Sequence, residues 1–330
     1  MSVQGSFMNS GRNISLDTET NTLTCQLANV HGQYIQNHKK IQLNLSYHNI
    51  NGVLTPSNYT NCYFISILNQ LGNCLRVIVS GLILADHYHK QPFILLKNIW
   101  EKEKKVLSYL FDQYILDQDV EFEKLVYDDA VSYTTFYGTN YDVICEGRLK
   151  HMPQGKCGIV GTIYSVLPED MSEEDYIRKK IQIYRSLPLP LPLVQSIQHF
   201  VKVTNLTTRV GVHIRYSDNL TDTCKHRNNF NTSLRVFETK LDSIQGPLFV
   251  CSDNAFVLDT LKSRKNIVFA NKYADPHYQA FYEMCLLSHC KSIVGTNSST
   301  FSYEAAFLKG TNIELYMDQE WKLYNLEQYR

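Results

Sequence analysis

The sequence contains no run of eighteen apolar residues, so no stretch reads as a membrane-spanning helix. Met1 to Asn13 is polar and lacks the basic and apolar regions of a secretory signal, and the expectation is a soluble, cytoplasmic protein. No CxxC pair occurs among the nine cysteines; their scatter and odd count speak for reduced thiols rather than a disulfide framework or a zinc site. The eleven histidines show no HExxH-type spacing, which leaves metallohydrolase chemistry without support. G-x-G-x-x-G and the P-loop are both missing. An excess of one charge is missing too. With 32 basic and 32 acidic residues, no overall field draws the chain to nucleic acid or an anionic membrane, so any basic function is local. Seven N-x-S/T sequons (Asn13, Asn44, Asn58, Asn205, Asn219, Asn231, Asn297) are present, but an Asn-rich sequence generates these by chance.

What is present is a globular composition, 44% hydrophobic and 19% charged, over 330 residues. That length exceeds the usual single core and favours two domains. The first fifty-odd residues carry short alternating pieces, "TLTCQL" and "YIQNHKKIQLNL", which read as an added β-rich arm, residues 1–55. From Tyr63 the order becomes strand ("YFISIL"), glycine turn ("NQLGN"), helix (Cys74 to Lys90) and strand ("PFILL"), the opening of a parallel α/β unit over 56–187. Its middle, from about Asn98 to Gly161, is irregular and Tyr-rich. Ser172 with Asp175 resembles a capping box for a helix through Tyr184, and "LPLPLPL" then marks the boundary to 188–330. Beyond it strands and helices alternate strictly, which predicts a doubly wound parallel sheet. The fold expected is α/β and GT-B-like, two Rossmann-like domains facing across a cleft.

Three strand ends of the last unit carry chemistry. In "TTRVGVHIRYSDN" His213 and Arg215 share one strand face at the carboxyl end, where ligands sit in open α/β sheets. A planar guanidinium there suits a phosphate; alternatively Arg215 pairs with Asp218 and His213 is structural. "FVCSDN" sets Asp253 at the next strand end, either as an acceptor for the N–H edge of guanine or as a helix N-cap. "IVGTNSSTFSYEAAFL" opens a helix with Asn297, Ser298, Ser299 and Thr300, an anion site or plain N-capping.

These residues resemble the fucosyltransferase superfamily of α1,2-, α1,6- and protein O-fucosyltransferases. "HIRYSD", His213 to Asp218, is similar to the H-x-R-R-x-D motif of the α1,2 and α1,6 branches. "LLSHCKSIVGTNSSTFSYEAAFL" resembles a later strand-to-helix element, "CSDN" an SDD-like element, and "NQLGNC" the GGLGNQ segment of α1,2 enzymes. The likeness spans about residues 60 to 320. It implies an inverting, metal-independent transfer of fucose from GDP-fucose to a glycan hydroxyl, α1,2 or α1,6, with no cofactor. Arg215 then holds the β-phosphate, His213 and Asp253 address the guanosine, Ser298 to Thr300 the phosphates, and Gly72 with Asn73 offer backbone N–H groups from the facing domain. The second motif arginine is Tyr216 here, which removes one positive charge. Asn219 and Thr223 stand where the α1,6 branch has a lysine and a carboxylate. The catalytic set expected is Arg215, Asp218 and Asp222, with the Asp218/Asp222 segment preferred over Glu304 as base.

Two other readings compete. "LDQDV", with Asp117 and Asp119, is a D-x-D of the kind that holds manganese beneath a diphosphate. The loss of the second arginine also admits a GDP-sugar or glycan-binding relative without transfer, or a transferase for another GDP-sugar. Neither reading involves nucleic acid.

Overall fold

The computed structural model describes residues 11–28, 33–41, 47–50, 53–56, 62–68, 70–115, 131–134, 147–149, 157–161, 166–216, 233–297, 299–317 and 320–330. No described helix is long and apolar enough to cross a membrane. Strands β1 (Gly11–Asp17), β2 (Thr22–Ala28) and β3 (Tyr34–Lys40) form an antiparallel sheet in that order; β4 (Tyr47–Ile50) and β5 (Val53–Pro56) pair as a separate hairpin. Leu23, Cys25 and Leu27 alternate inward along β2, the two-residue period that the "TLTCQL" pattern predicts.

The next unit runs β6 (Cys62–Leu68), α1 (Leu71–His87), β7 (Gln91–Asn98), α2 (Glu101–Leu110), β8 (Val131–Thr134), β9 (Gly147–Leu149), β10 (Cys157–Gly161), β11 (Val166–Pro168) and α3 (Glu173–Arg185). Its sheet, β7-β6-β10-β8, is entirely parallel. Helix α1 begins at Leu71, three residues ahead of the sequence expectation. Gly72 and Asn73 therefore sit in its first turn rather than in a glycine loop. Gln70, the N-cap, is not a residue that advertises a helix start. Almost every α1 residue from Leu71 to Ala85 is buried, as expected of a helix apolar on all sides. Helix α3 starts as predicted: Ser172 Oγ accepts from the Asp175 N–H at 3.0 Å. Helix α2 falls in the stretch that had looked irregular.

The last unit comprises α4 (Leu191–Thr204), β12 (Val210–Ile214), α5 (Leu234–Ser243), β13 (Leu248–Ser252), α6 (Ala255–Leu261), β14 (Ile267–Phe269), α7 (Gln279–Ser288), β15 (Ser292–Gly295), α8 (Thr300–Lys309), β16 (Ile313–Met317) and β17 (Glu320–Tyr324). The proline run does not end regular structure. Helix α4 starts inside it, with Pro192 in the first turn, where the missing N–H costs nothing. The sheet order is β14-β13-β12-β15-β16-β17, parallel except for β17, which closes the edge antiparallel to β16.

Two clusters of buried residues cover this sheet. Val212, Ile214, Phe237, Leu241, Val250 and Val257 pack on one face. Phe249, Cys251 and Ile293, from the other face, join a larger cluster with α7, α8, α3, α1 and β6. Each large aliphatic side chain so buried contributes about 1.5–3 kcal/mol. The strand order reverses between β12 and β15, so the crevice at their carboxyl ends is the switch point at which open α/β sheets take ligands.

Candidate functional site

Arg215 directly follows β12, at that switch point. Its backbone N–H donates to Thr296 Oγ1 at 2.9 Å, and the same hydroxyl donates to the His213 carbonyl at 2.9 Å. Thr296, buried just after β15, thus ties together the ends of the two strands that flank the crevice. The Arg215 guanidinium reaches across to the other parallel-sheet unit, where Nη1 donates to Gln70 Oε1 at 2.7 Å. Gln70 is the residue at which α1 begins.

The first turns of α1 and α8 meet at the same place. A Cβ at Gly72 would lie 2.7 Å from Thr300 Oγ1 and 2.9 Å from the Phe301 backbone nitrogen, so the approach requires glycine. Neither helix has a side-chain N-cap bond at its Gln70 or Ser299 cap. The first N–H groups of a helix have no intrahelical acceptor, and each N-terminus carries about half a positive charge. Two such ends beside a guanidinium make a strongly anion-seeking corner.

Among the described residues, two buried polar atoms here have no hydrogen-bond partner: Ser299 Oγ and His213 Nδ1. The His213 ring stacks on Phe301, centroids 4.7 Å apart. Burial lowers its pKa to about 4, Asp253 opposing and Arg215 assisting, so the imidazole is neutral near pH 7. Buried groups without partners are rare, and each calls for an explanation. Asp253 Oδ1 accepts from the Tyr216 N–H at 2.8 Å. Asp253 is not the cap of α6; Asn254 is, its Oδ1 accepting from Phe256 N at 2.9 Å. Asn297 Oδ1 accepts from Tyr303 Oη at 3.2 Å.

Gly72 therefore abuts Thr300, His213 stacks on the neighbouring Phe301, and Arg215 and Ser299 both bond Thr296. Asp253 adjoins them through Tyr216, Asn297 lies in the turn between Thr296 and Ser299, and Asn73 occupies the first turn of α1. Ser298, Asp218, Asp222, Asp117 and Asp119 lie outside the described residues.

No protein-family model matches the sequence, and no curated protein matches it. Among solved structures, the chain is similar to the selenomethionine fucosyltransferase NodZ from Bradyrhizobium: 13% identity, TM-score 0.47, 80% of this chain and 99% of that one covered. It is similar to a FUT1 mutant of Arabidopsis thaliana in complex with GDP, at 14% identity and TM-score 0.44, covering 77% of this chain and 70% of that. A third likeness is to POFUT1 in complex with GDP-fucose, at 13% identity and TM-score 0.41, covering 76% and 95%.

Glu304, considered from sequence as a possible base, is fully buried and has another part. Its Oε1 accepts from Arg76 Nε at 3.2 Å and from Lys180 Nζ at 2.9 Å, and its Oε2 accepts from Tyr184 Oη. Burial and the Glu304 carboxylate push the Tyr184 phenol well above its usual range, which keeps it a donor. Arg76 also lies over the Tyr303 ring and Lys180 over Phe307. Arg76 and Glu304 each stand one turn inside the helix starts at Gly72 and Thr300. The pair locks α1 to α8 directly beneath the anion-seeking corner. Gln70 and Thr296 complete the residues that sequence reasoning missed. Both stand in motif segments, but nothing in their type separates them from neighbours.

Proposed function

We propose that the chain is an inverting glycosyltransferase that moves fucose from GDP-fucose to a glycan hydroxyl, α1,2 or α1,6, without a metal. The observation that carries this reading is the meeting of Arg215 with the first turns of α1 and α8 at the strand-order reversal. A diphosphate leaving group gains negative charge as the glycosidic bond breaks. A guanidinium and two helix N-termini fixed beforehand stabilise that charge without rearranging, which is the role a metal plays in other transferases. The unpartnered His213 Nδ1 and Ser299 Oγ then find their partners on the donor, and Asp253 takes the guanine N–H edge. Under this reading residues 56–187 form the acceptor-side lobe of a GT-B-like pair and 188–330 the donor lobe, with 1–55 an appended arm. Asp218 and Asp222 supply the base for the acceptor hydroxyl. Cys25, Cys74, Cys251, Cys285 and Cys290 are buried and form no disulfide among the described residues, in keeping with work in the reducing cytoplasm.

One observation favours a second reading, a GDP-sugar binder that no longer transfers. Tyr216, where a second arginine would stand, stacks on Phe256 at 6.4 Å and supplies no charge. Calorimetry with GDP-fucose, GDP-mannose and UDP-sugars, followed by a donor-hydrolysis assay, separates the two. GDP-fucose binding with hydrolysis or transfer supports the proposal. Binding alone gives the second reading, and preference for a UDP-sugar rejects both.

A further inference from the structure

At the far end of the six-stranded sheet lies a cavity of about 750 Å³ that the proposed chemistry does not use. Its lining includes Thr207, just ahead of β12, Lys291, just ahead of β15, and the last turns of α3, α7 and α8. Lys309 at the end of α8 is about 14 Å along the helix from Thr300. The cavity is thus separate from the anion-seeking corner. A volume of this size suits a small organic molecule.

The lining divides by chemistry. Leu187, Leu189, Val194 and Ile197 make an apolar wall, and Arg185, Lys291, Lys309 and Arg330 make a basic rim. Glu327 is the acidic residue among the described lining and pairs with Arg330 at 3.7 Å. Among the described residues, Arg185, Lys291 and Lys309 have no carboxylate partner.

Lys309 is held by a neutral group. Its Nζ lies 2.6 Å from His289 Nε2, while His289 Nδ1 lies 2.8 Å from the Cys285 carbonyl. A carbonyl only accepts, so Nδ1 carries the proton and Nε2 presents its lone pair to the ammonium. Burial lowers the His289 pKa to about 4 against the pull of that carbonyl bond, and the ring brings no negative charge. Arg185 Nη2 and Arg330 Nε donate to the Lys309 carbonyl at 3.3 and 2.9 Å. These bonds cap α8 and keep two guanidiniums beside Lys309, of which Arg185 has no carboxylate partner among the described residues.

We propose that this cavity binds an amphipathic monocarboxylate, its hydrocarbon body along Leu187, Leu189, Val194 and Ile197 and its carboxylate on Lys309 beside Arg185. One cationic end and one apolar wall call for a ligand with one charge at one end. A carboxylate also supplies the anion that Lys309 lacks.

The test is calorimetry on the full chain at pH 7 with decanoate, decanol and inorganic phosphate as probes. Decanoate is expected to bind at least tenfold more tightly than either of the others. Lys309→Met, which keeps the apolar stem, is expected to weaken decanoate at least tenfold. Leu189→Asp, which puts a like charge in the wall, should do the same and serves where Lys309→Met folds poorly. GDP titrations should be unaltered in both variants. Decanoate that fails to bind, that binds no better than decanol or phosphate, or that binds equally to a folded variant overturns the proposal.

Discussion

Alanine at position 72 tests the site's central feature, because stability and donor binding should respond differently. The added Cβ falls 2.7 Å from Thr300 Oγ1, 2.9 Å from Phe301 N and 3.0 Å from the Thr300 carbonyl carbon. The hydroxyl can rotate away; the two backbone atoms cannot. Restoring ordinary contact moves the first turn of α8 by about half an ångström from α1, an overpacking of about 1–3 kcal/mol. In this first turn alanine regains at most about 1 kcal/mol over glycine, so the net loss is about 0–3 kcal/mol and the protein still folds. Donor binding has no such offset. A hydrogen bond to a charged group contributes about 1.5–3 kcal/mol, so displacing one N–H donor weakens GDP-fucose about 10- to 100-fold. The measurement is a calorimetric titration with GDP-fucose beside a thermal melt. Wild-type affinity in Gly72→Ala would refute a diphosphate cradle shared by the two helix ends, whatever the melt showed.

Arg215→Ala is expected to lower turnover by about 10² to 10³ with a smaller change in KM, since the charge it meets grows in the transition state; unaltered single-turnover rates remove it from that role. Glu304→Gln leaves Arg76 and Lys180 buried without their shared carboxylate and should cost about 3–5 kcal/mol in urea unfolding. Lys180→Met leaves the Arg76–Glu304 pair balanced and should cost less, so the reverse order would contradict the charge count. His213 and His289 both titrate near 4 when folded and near 6.5 when unfolded. Below 6.5 the unfolded chain binds protons that the folded one excludes, so stability present above 6.5 is lost as the pH falls toward 4. The loss is about 3 kcal/mol for His213 and less for the less buried His289. Melting curves from pH 7.5 to 4.5 check this, and a flat profile in that window speaks against buried neutral imidazoles.

The strand ends were legible because alternation along "RVGVHIR" fixes which side chains share a face, and a βα repeat fixes at which end of the sheet the switch-point crevice lies. The α8 start was legible from its hydroxyls. Neither needs information from elsewhere in the chain. The rest of the site is long-range. Arg215 meets Gln70 from 145 residues away, and Glu304 meets Lys180 and Arg76 across 124 and 228. In a single sequence, nothing marks Lys180 and Glu304 as buried partners, since charged residues are almost never buried unless paired. Nothing local announces the pair. Helix α4 was hidden for the opposite reason: Pro192 is a breaker inside a helix and harmless in its first turn, and the sequence does not say which applies.

The buried cluster is a costly way to join two helices. Removing Arg76, Lys180 and Glu304 from water is unfavourable, and apolar side chains of similar size would hold α1 to α8 at least as firmly. Apolar contacts, however, tolerate small sliding and rotation, whereas hydrogen bonds lose strength steeply as their angles change. Glu304 takes three donors from two other helices, which fixes α8 against both α1 and α3. One turn above it, under the proposed function, the first-turn N–H groups of α1 and α8 face one diphosphate with little room for error, because a donor contributes to catalysis only if it needs no rearrangement as charge develops. The cluster sacrifices some stability and fixes the position of the two helix ends, and it lies one turn beneath the place where that position matters most.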